Sequence, residues 1–180
     1  RYMTRCSVHV EASRLRFPEY LLLASLFLLP LGAAYELPVL IGAVAGGIAL
    51  IRGHISFRTP QVRLALVLGL AYWLPQLFSA FDSVAPVKTW TEVAADLRFI
   101  PFLMYLAHTA PSLTSAQKLS SGIALIIAFW CMDALFQVVS GYGLGGAIAN
   151  DRLSGIFGSD NLKLGGVIAV LSPFLMIEAW

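Results

Sequence analysis

Long apolar runs dominate this sequence, and they constrain its fold more than any other feature. A helix needs about 20 apolar residues to cross the hydrocarbon core of a bilayer, and short polar stretches divide the chain into runs of about that length. The sequence therefore predicts an all-α, polytopic integral membrane protein with about six transmembrane helices. The candidate spans are 18–35, 36–51, 64–81, 90–107, 119–139 and 162–180.

The composition supports a membrane protein over a soluble enzyme domain. Hydrophobic residues make up 58% of the 180 residues and charged residues only 12%, whereas soluble chains carry about 25% charged residues. A cleaved signal peptide is disfavoured, because a second apolar run starts at Leu37, soon after the first, and no polar domain follows either run. The first two spans are short and adjacent, so a re-entrant hairpin is an alternative to two full crossings.

Basic residues in short loops predict the orientation. Positive loops stay on the cytoplasmic side, which places the N-terminus and a basic arm, residues 1–17, in the cytoplasm. Two loops, 82–89 and 140–161, then lie outside. The basic residues predicted inside are Arg1, Arg5, Arg14, Arg16, Arg52, Arg58, Arg63 and Lys118.

Ionisable residues inside the predicted spans are the first candidates for function. Each costs about 2.5–3.5 kcal/mol on insertion scales, so they usually face a cavity or one another. At 1.5 Å per residue, Arg98 lies about 12 Å below the outer surface and Asp133 about 9 Å below it, so the two are expected to form a buried pair. The pair either fixes helix packing alone, or holds Arg98 in a cavity that receives a phosphate anion.

A glycine-rich loop before the sixth span is the second candidate. Glycines cluster over 141–146, and good N-cap residues, including Asn161, precede the last apolar run. Arg152 and Lys163 flank the start of that helix, and helix N-termini attract anions. On spacing alone, the loop is equally typical of an ordinary helix cap.

The residues in this loop carry a family resemblance. The passage Arg152-Leu-Ser-Gly-Ile-Phe-Gly-Ser-Asp-Asn161 resembles the R-L-x-G-x-F-G-x-x-N signature of the O-antigen ligase and O-antigen polymerase superfamily. Ser79–Pro86 resembles the short outer loop of that family, and Asp96-Leu-Arg-Phe-Ile-Pro-Phe resembles its arginine-bearing span. The resemblance extends from about Glu19 to Trp180.

The resemblance implies a GT-C-like helical glycosyltransferase of the bacterial inner membrane. Such enzymes transfer a glycan from undecaprenyl diphosphate to lipid A–core or another acceptor at the periplasmic face. By the same resemblance, Arg98 and Arg152 would bind the donor diphosphate, with Asp133, Asn161 and Lys163 in supporting roles. It implies the donor and membrane lipids as partners, with no metal, other cofactor or nucleic acid.

One departure from the family concerns the catalytic base, which the resemblance places on a histidine in a large periplasmic loop. The three histidines here, His9, His54 and His108, all fall on the predicted cytoplasmic side, so no catalytic residue is assigned. The chain is expected to be the N-terminal portion of such an enzyme, inactive without a C-terminal half. A transporter or flippase component and a structural subunit packing through Gly42-x-x-x-Gly46 are the alternatives.

Overall fold

The chain is nearly all-α in the computed structural model, as predicted. The structure describes residues 15–109, 113–147, 154–158 and 163–179. Its helices are α1 (Phe17–Leu28), α2 (Glu36–Ile51), α3 (Pro60–Ala80), α4 (Pro86–Asp96), α5 (Phe99–His108), α6 (Leu113–Ser140) and α7 (Leu164–Ala179). Short 3-10 segments cover Leu29–Tyr35 and Gly155–Phe157, and an antiparallel pair of two-residue strands, β1 (Tyr142–Gly143) and β2 (Gly146–Ala147), follows α6.

Membrane association rests on three helical segments. Among the described residues, the segments long and apolar enough to cross a membrane are Phe17–Ile51, Pro60–Ala80 and Ala116–Ser140. At most 28% of their most apolar windows is buried inside the protein, so most of their apolar surface has no partner among the described residues and suits lipid. Six separate spans are not shown. Residues 1–14 of the predicted basic arm lie outside the described residues.

One predicted span is not a single helix, and another is described only in part. The predicted span 90–107 is interrupted between Asp96 and Phe99, which gives helices of 11 and 10 residues. Pro101 explains the interruption, since proline has no N–H for the carbonyl four residues earlier and its ring clashes with that carbonyl. The predicted span 162–180 contains the apolar helix α7, and its first and last residues lie outside the described residues.

The first apolar segment is a helical hairpin. Gly32 has a φ of 64° and a ψ of −123°, a conformation that glycine adopts readily and other residues do not. Leu21 of α1 and Ala43 of α2 belong to one buried cluster, so the chain turns back on itself at this glycine. The turn therefore lies a few residues before the predicted boundary at 35–36.

Helix α2 packs directly on α5 through two glycines. A Cβ atom on Gly42 would clash with the ring of Phe102, and one on Gly46 would clash with the carbonyl oxygen of Pro101. Small residues let helices approach closely in membranes, so the predicted Gly42-x-x-x-Gly46 pattern does form a packing face. The contact fixes the two helices side by side, running in the same direction.

This arrangement gives the bundle two distinct ends. The end where α2 and α5 begin carries Glu36 and Arg98, and the start of α7 lies there too; we call it the site end. The end where α2 and α5 finish carries Arg52, His54 and His108; we call it the basic end.

Candidate functional site

Arg98 lies at the interruption between α4 and α5, immediately before the first residue of α5. Its Nη1 donates a hydrogen bond to Oε2 of Glu36 at 3.2 Å, and its guanidinium carbon lies 5.6 Å from the centre of the Phe99 ring. The side chain is only 19% exposed, and its Nε is buried with no hydrogen-bond partner among the described residues. A buried donor without an acceptor costs about 1–3 kcal/mol, so this cation has unused capacity for an oxygen ligand.

Glu36 connects Arg98 to a cleft at the site end. It is the first residue of α2, and its side chain is 45% exposed. The cleft has a volume of about 330 Å³ and lies between the hairpin turn, the 3-10 segment Gly155–Phe157 and the start of α7. Lys163 lines the same cleft as Glu36. Arg98 therefore forms an ion pair with a residue that lines the cleft, and Lys163 lines that cleft itself.

The other acidic residues of the predicted fourth span have separate partners. Asp96 Oδ2 accepts a hydrogen bond from the Tyr72 hydroxyl at 3.2 Å. Glu92 lies 4.0 Å from Lys88 in a pair whose side chains are both more than half exposed. Neither carboxylate neutralises Arg98, so Glu36 is its ion-pair partner.

The predicted Arg98–Asp133 pair is not formed. Packing of α5 on α2 puts Arg98 beside Glu36, whereas Asp133 faces the loop after α6. Its Oδ1 accepts the backbone N–H of Leu144 at 2.9 Å, and its Oδ2 is buried without a hydrogen-bond partner among the described residues. Cβ atoms on Gly143 and Gly155 would lie 3.2 and 3.4 Å from this oxygen, so the two glycines pack closely around the carboxylate.

Gln137 is a structural residue of this region that the sequence interpretation missed. It is fully buried, and its Oε1 accepts the backbone N–H groups of Ser154 and Gly155 at 3.2 and 2.8 Å. Its Nε2 donates to the carbonyl of Gly146 and the hydroxyl of Ser154. One side chain thus holds together 141–147 and 154–158, which we call the clamped loops. The sequence did contain a sign of this role, because Gln137 is a polar residue one helical turn after Asp133 in an apolar helix.

Arg152 and Asn161, the other predicted site residues, lie outside the described residues. Lys163, which follows them, is exposed at the turn that precedes α7. Phe157, from the signature passage, is buried against Trp130 with ring centres 5.4 Å apart. The described part of the passage therefore packs on α6 beside the cleft.

The site end has groups of the kind that bind anions. Lys163 and Glu36 line the cleft, whereas the guanidinium of Arg98, with its unpaired buried donor, lies behind Glu36 and does not line it. An anion in the cleft would have to displace the Glu36 carboxylate to reach this guanidinium. Comparisons of the chain with protein-family models, with curated proteins and with solved structures find no match. The geometry of this end is therefore the main guide to function.

Proposed function

We propose that this chain is the donor-binding part of an O-antigen ligase-like membrane glycosyltransferase. It would bind undecaprenyl diphosphate-linked glycan, which is transferred to lipid A–core or another acceptor at the periplasmic face of the bacterial inner membrane. The observation that supports this proposal is the buried, incompletely satisfied guanidinium of Arg98. It lies next to the carboxylate that lines the cleft with Lys163.

The physical argument is electrostatic. When the glycosyl bond breaks, the departing diphosphate gains negative charge, and cations already held in place stabilise that charge without reorganising. An arginine fork matches phosphate oxygens in geometry, and Arg98 is kept in position by Glu36 and Phe99. In the empty site Glu36 offsets the buried charge, and on binding the diphosphate takes its place.

The direct test is binding of radiolabelled undecaprenyl diphosphate to the chain purified in detergent, with undecaprenol as the uncharged comparison. We expect the diphosphate to bind more tightly than the alcohol. Replacing Arg98 by glutamine should weaken diphosphate binding about tenfold or more, because hydrogen bonds to charged groups contribute about 1.5–3 kcal/mol.

The matched control is Arg63→Gln, which removes the same charge from a residue whose guanidinium bonds to the Arg58 carbonyl at the basic end. This variant should bind the diphosphate like the parent chain. Equal affinities for undecaprenol and undecaprenyl diphosphate, or unchanged binding by Arg98→Gln, would refute a diphosphate site.

Glycan transfer needs a separate assay, because binding alone does not distinguish an enzyme from a carrier. The chain, alone and extended by any reading frame that follows it, should be expressed in a ligase-deficient bacterium and scored for glycan-bearing lipopolysaccharide. Restoration that Arg98→Gln abolishes is the expected result. If neither form restores the glycan in any acceptor strain while the purified chain still binds the diphosphate, the transferase proposal is wrong. The proposal of a diphosphate-binding site would then still stand.

A transporter or flippase component is the second candidate, and the interruption of the helix at Arg98 favours it. Transporters bind anions at broken helices, where a half-helix N-terminus points at the substrate, and α5 begins one residue after Arg98. Under this alternative, proteoliposomes would move labelled undecaprenyl diphosphate between leaflets without forming a glycosylated product.

A further inference from the structure

A second charged groove lies at the basic end, away from the site described above. It has a volume of about 520 Å³ and runs between the final turns of α2 and α5. The groove exists because Gly46 locks the helices together at Pro101, while beside this contact the small side chains of Ala45 and Ala49 leave space between the helices. Seven residues separate Ala45 from Arg52, so the α2 wall of the groove is about 10 Å long.

The polarity of this groove changes along its length. Towards the middle of the bundle its walls are alanine and isoleucine side chains, whereas Arg52, His54 and His108 line its outer end. Among the described residues, the side chains of these three make no hydrogen bond or ion pair, and all three are exposed.

These side chains are not needed to complete the helix ends. The last carbonyls of α2 accept backbone N–H groups, including Gly53 to Leu50 and His54 to Ala49. At the end of α5, the Thr109 hydroxyl bonds to the Tyr105 and Leu106 carbonyls. Arg16 donates to the Thr109 carbonyl at 3.1 Å, which brings one more guanidinium to this end. Backbone N–H groups, the Thr109 hydroxyl and the Arg16 guanidinium therefore already bond to carbonyls at the C-terminal ends of the two helices, where the partial negative charge of the helix dipole lies.

We propose that this groove binds an anionic phospholipid, with the lipid phosphate at Arg52, His54 and His108 and the start of an acyl chain between α2 and α5. The argument is complementarity of both charge and polarity. The Arg52 guanidinium and the imidazoles of His54 and His108, which can donate hydrogen bonds to phosphate oxygens, stand at the outer end of the groove, and an apolar channel leads from them towards the middle of the bundle. A phospholipid is polar and charged at its headgroup and apolar along its acyl chain, so its polarity changes along its length in the same order as that of the groove. The proposal does not depend on the function of the site end.

The test is native mass spectrometry of the detergent-purified chain, counting bound lipid during titration with phosphatidylglycerol. Phosphatidylcholine, diacylglycerol and inorganic phosphate are the comparison ligands. We expect retention of phosphatidylglycerol at several-fold lower concentration than phosphatidylcholine, weak retention of diacylglycerol, and no displacement of the lipid by millimolar inorganic phosphate.

Three variants locate the binding. Arg52→Gln should weaken phosphatidylglycerol retention about fivefold, the effect of one cation near a lipid surface, and Ala45→Leu should block the channel while leaving every charge in place. Arg58→Gln is the matched control, because Arg58 is exposed at the same end without lining the groove. Thermal unfolding followed by circular dichroism checks that each variant is folded.

Three results would overturn the proposal. Equal retention of phosphatidylglycerol and phosphatidylcholine would remove the charge preference on which it rests. Displacement of the lipid by inorganic phosphate would assign the cations to a free anion instead. If Arg52→Gln and Arg58→Gln weaken phosphatidylglycerol retention equally, the lipid is attracted by the charge of the whole basic end and does not bind at a site in the groove.

Discussion

The α2–α5 contact and the clamped loops are held together by opposite means. In the first, two helices that satisfy their own backbone hydrogen bonds approach until glycine hydrogens meet a ring and a carbonyl. In the second, irregular backbone is tied to α6 through four hydrogen bonds of one buried glutamine. The first region depends on the absence of side-chain atoms, and the second on the presence of one side chain.

This difference follows from the solvent. Within a bilayer, every backbone N–H and C=O group must be paired inside the protein. Helices meet this requirement by themselves, so their contacts can be purely steric. The clamped loops lack that internal pairing, so Gln137 supplies donors and acceptors that water would otherwise provide. This amide therefore helps to hold the non-helical backbone of 154–158, part of which lines the cleft with Lys163.

The largest expected effect comes from filling the α2–α5 contact. Gly46→Val should destabilise the protein by about 3 kcal/mol, since the new side chain meets the Pro101 backbone, which cannot move without displacing α5. Unfolding by sodium dodecyl sulfate, followed by circular dichroism, measures the change.

The neighbouring residue provides the control for that substitution. A Cβ atom on Gly47 would have no heavy atom of another part of the chain within 4 Å, so Gly47→Val should alter stability little. If the two variants unfold alike, the close approach of α2 and α5 does not hold the hairpin in place.

A smaller loss is expected when the clamp is removed. Gln137→Leu keeps the apolar volume but leaves the N–H groups of Ser154 and Gly155 without their acceptor, at a cost of about 2 kcal/mol. Hydrogen exchange should rise in 141–147 and 154–158 while α2 and α5 stay protected. Gln117→Leu, at an exposed position of α6, should leave exchange in both regions unchanged.

The smallest effect should come from the carboxylate beside the clamp. Asp133→Asn retains the oxygen that accepts the Leu144 N–H and removes a charge from a buried position. We therefore expect a change below about 1 kcal/mol, whereas Asp133→Ala, which leaves that N–H unpaired, should cost about 1–3 kcal/mol. Equal losses for the two variants, in the same unfolding assay, would mean that the charge itself is required.

The sequence predicted the helices well and their interruptions poorly. Apolar runs locate helices because burial in lipid requires them, and the nearly all-α class follows from that alone. The interruption at Arg98 depends on Pro101, yet Pro75 and Pro173 lie inside α3 and α7 without ending them. Whether a proline breaks a membrane helix depends on neighbouring groups that can satisfy the freed carbonyl, and a single sequence does not show these.

The candidate site was predicted in part. Charge within an apolar run singled out Arg98, and its place before a helix start singled out Lys163. The partner of Arg98 was assigned wrongly, because depth along a helix says nothing about which helices are neighbours. One sequence feature favoured Glu36 as the partner. It is the only acidic residue between Leu21 and Ile51, and it lies next to the turn between two apolar helices. A cation at the end of a neighbouring helix can reach a carboxylate in that position.

The length of α2 also affects how its charged end meets the membrane. Helix α2 has 16 residues and is about 24 Å long, whereas the hydrocarbon layer is about 30 Å thick. If Arg16 and Arg52 lie in one headgroup layer, the start of α2, with Glu36 and Arg98 beside it, lies about 6 Å short of the other layer. Water or a lipid headgroup would have to descend that distance to meet the two charges. The shortness of α2 would therefore place a buried cation below the headgroups that it could attract.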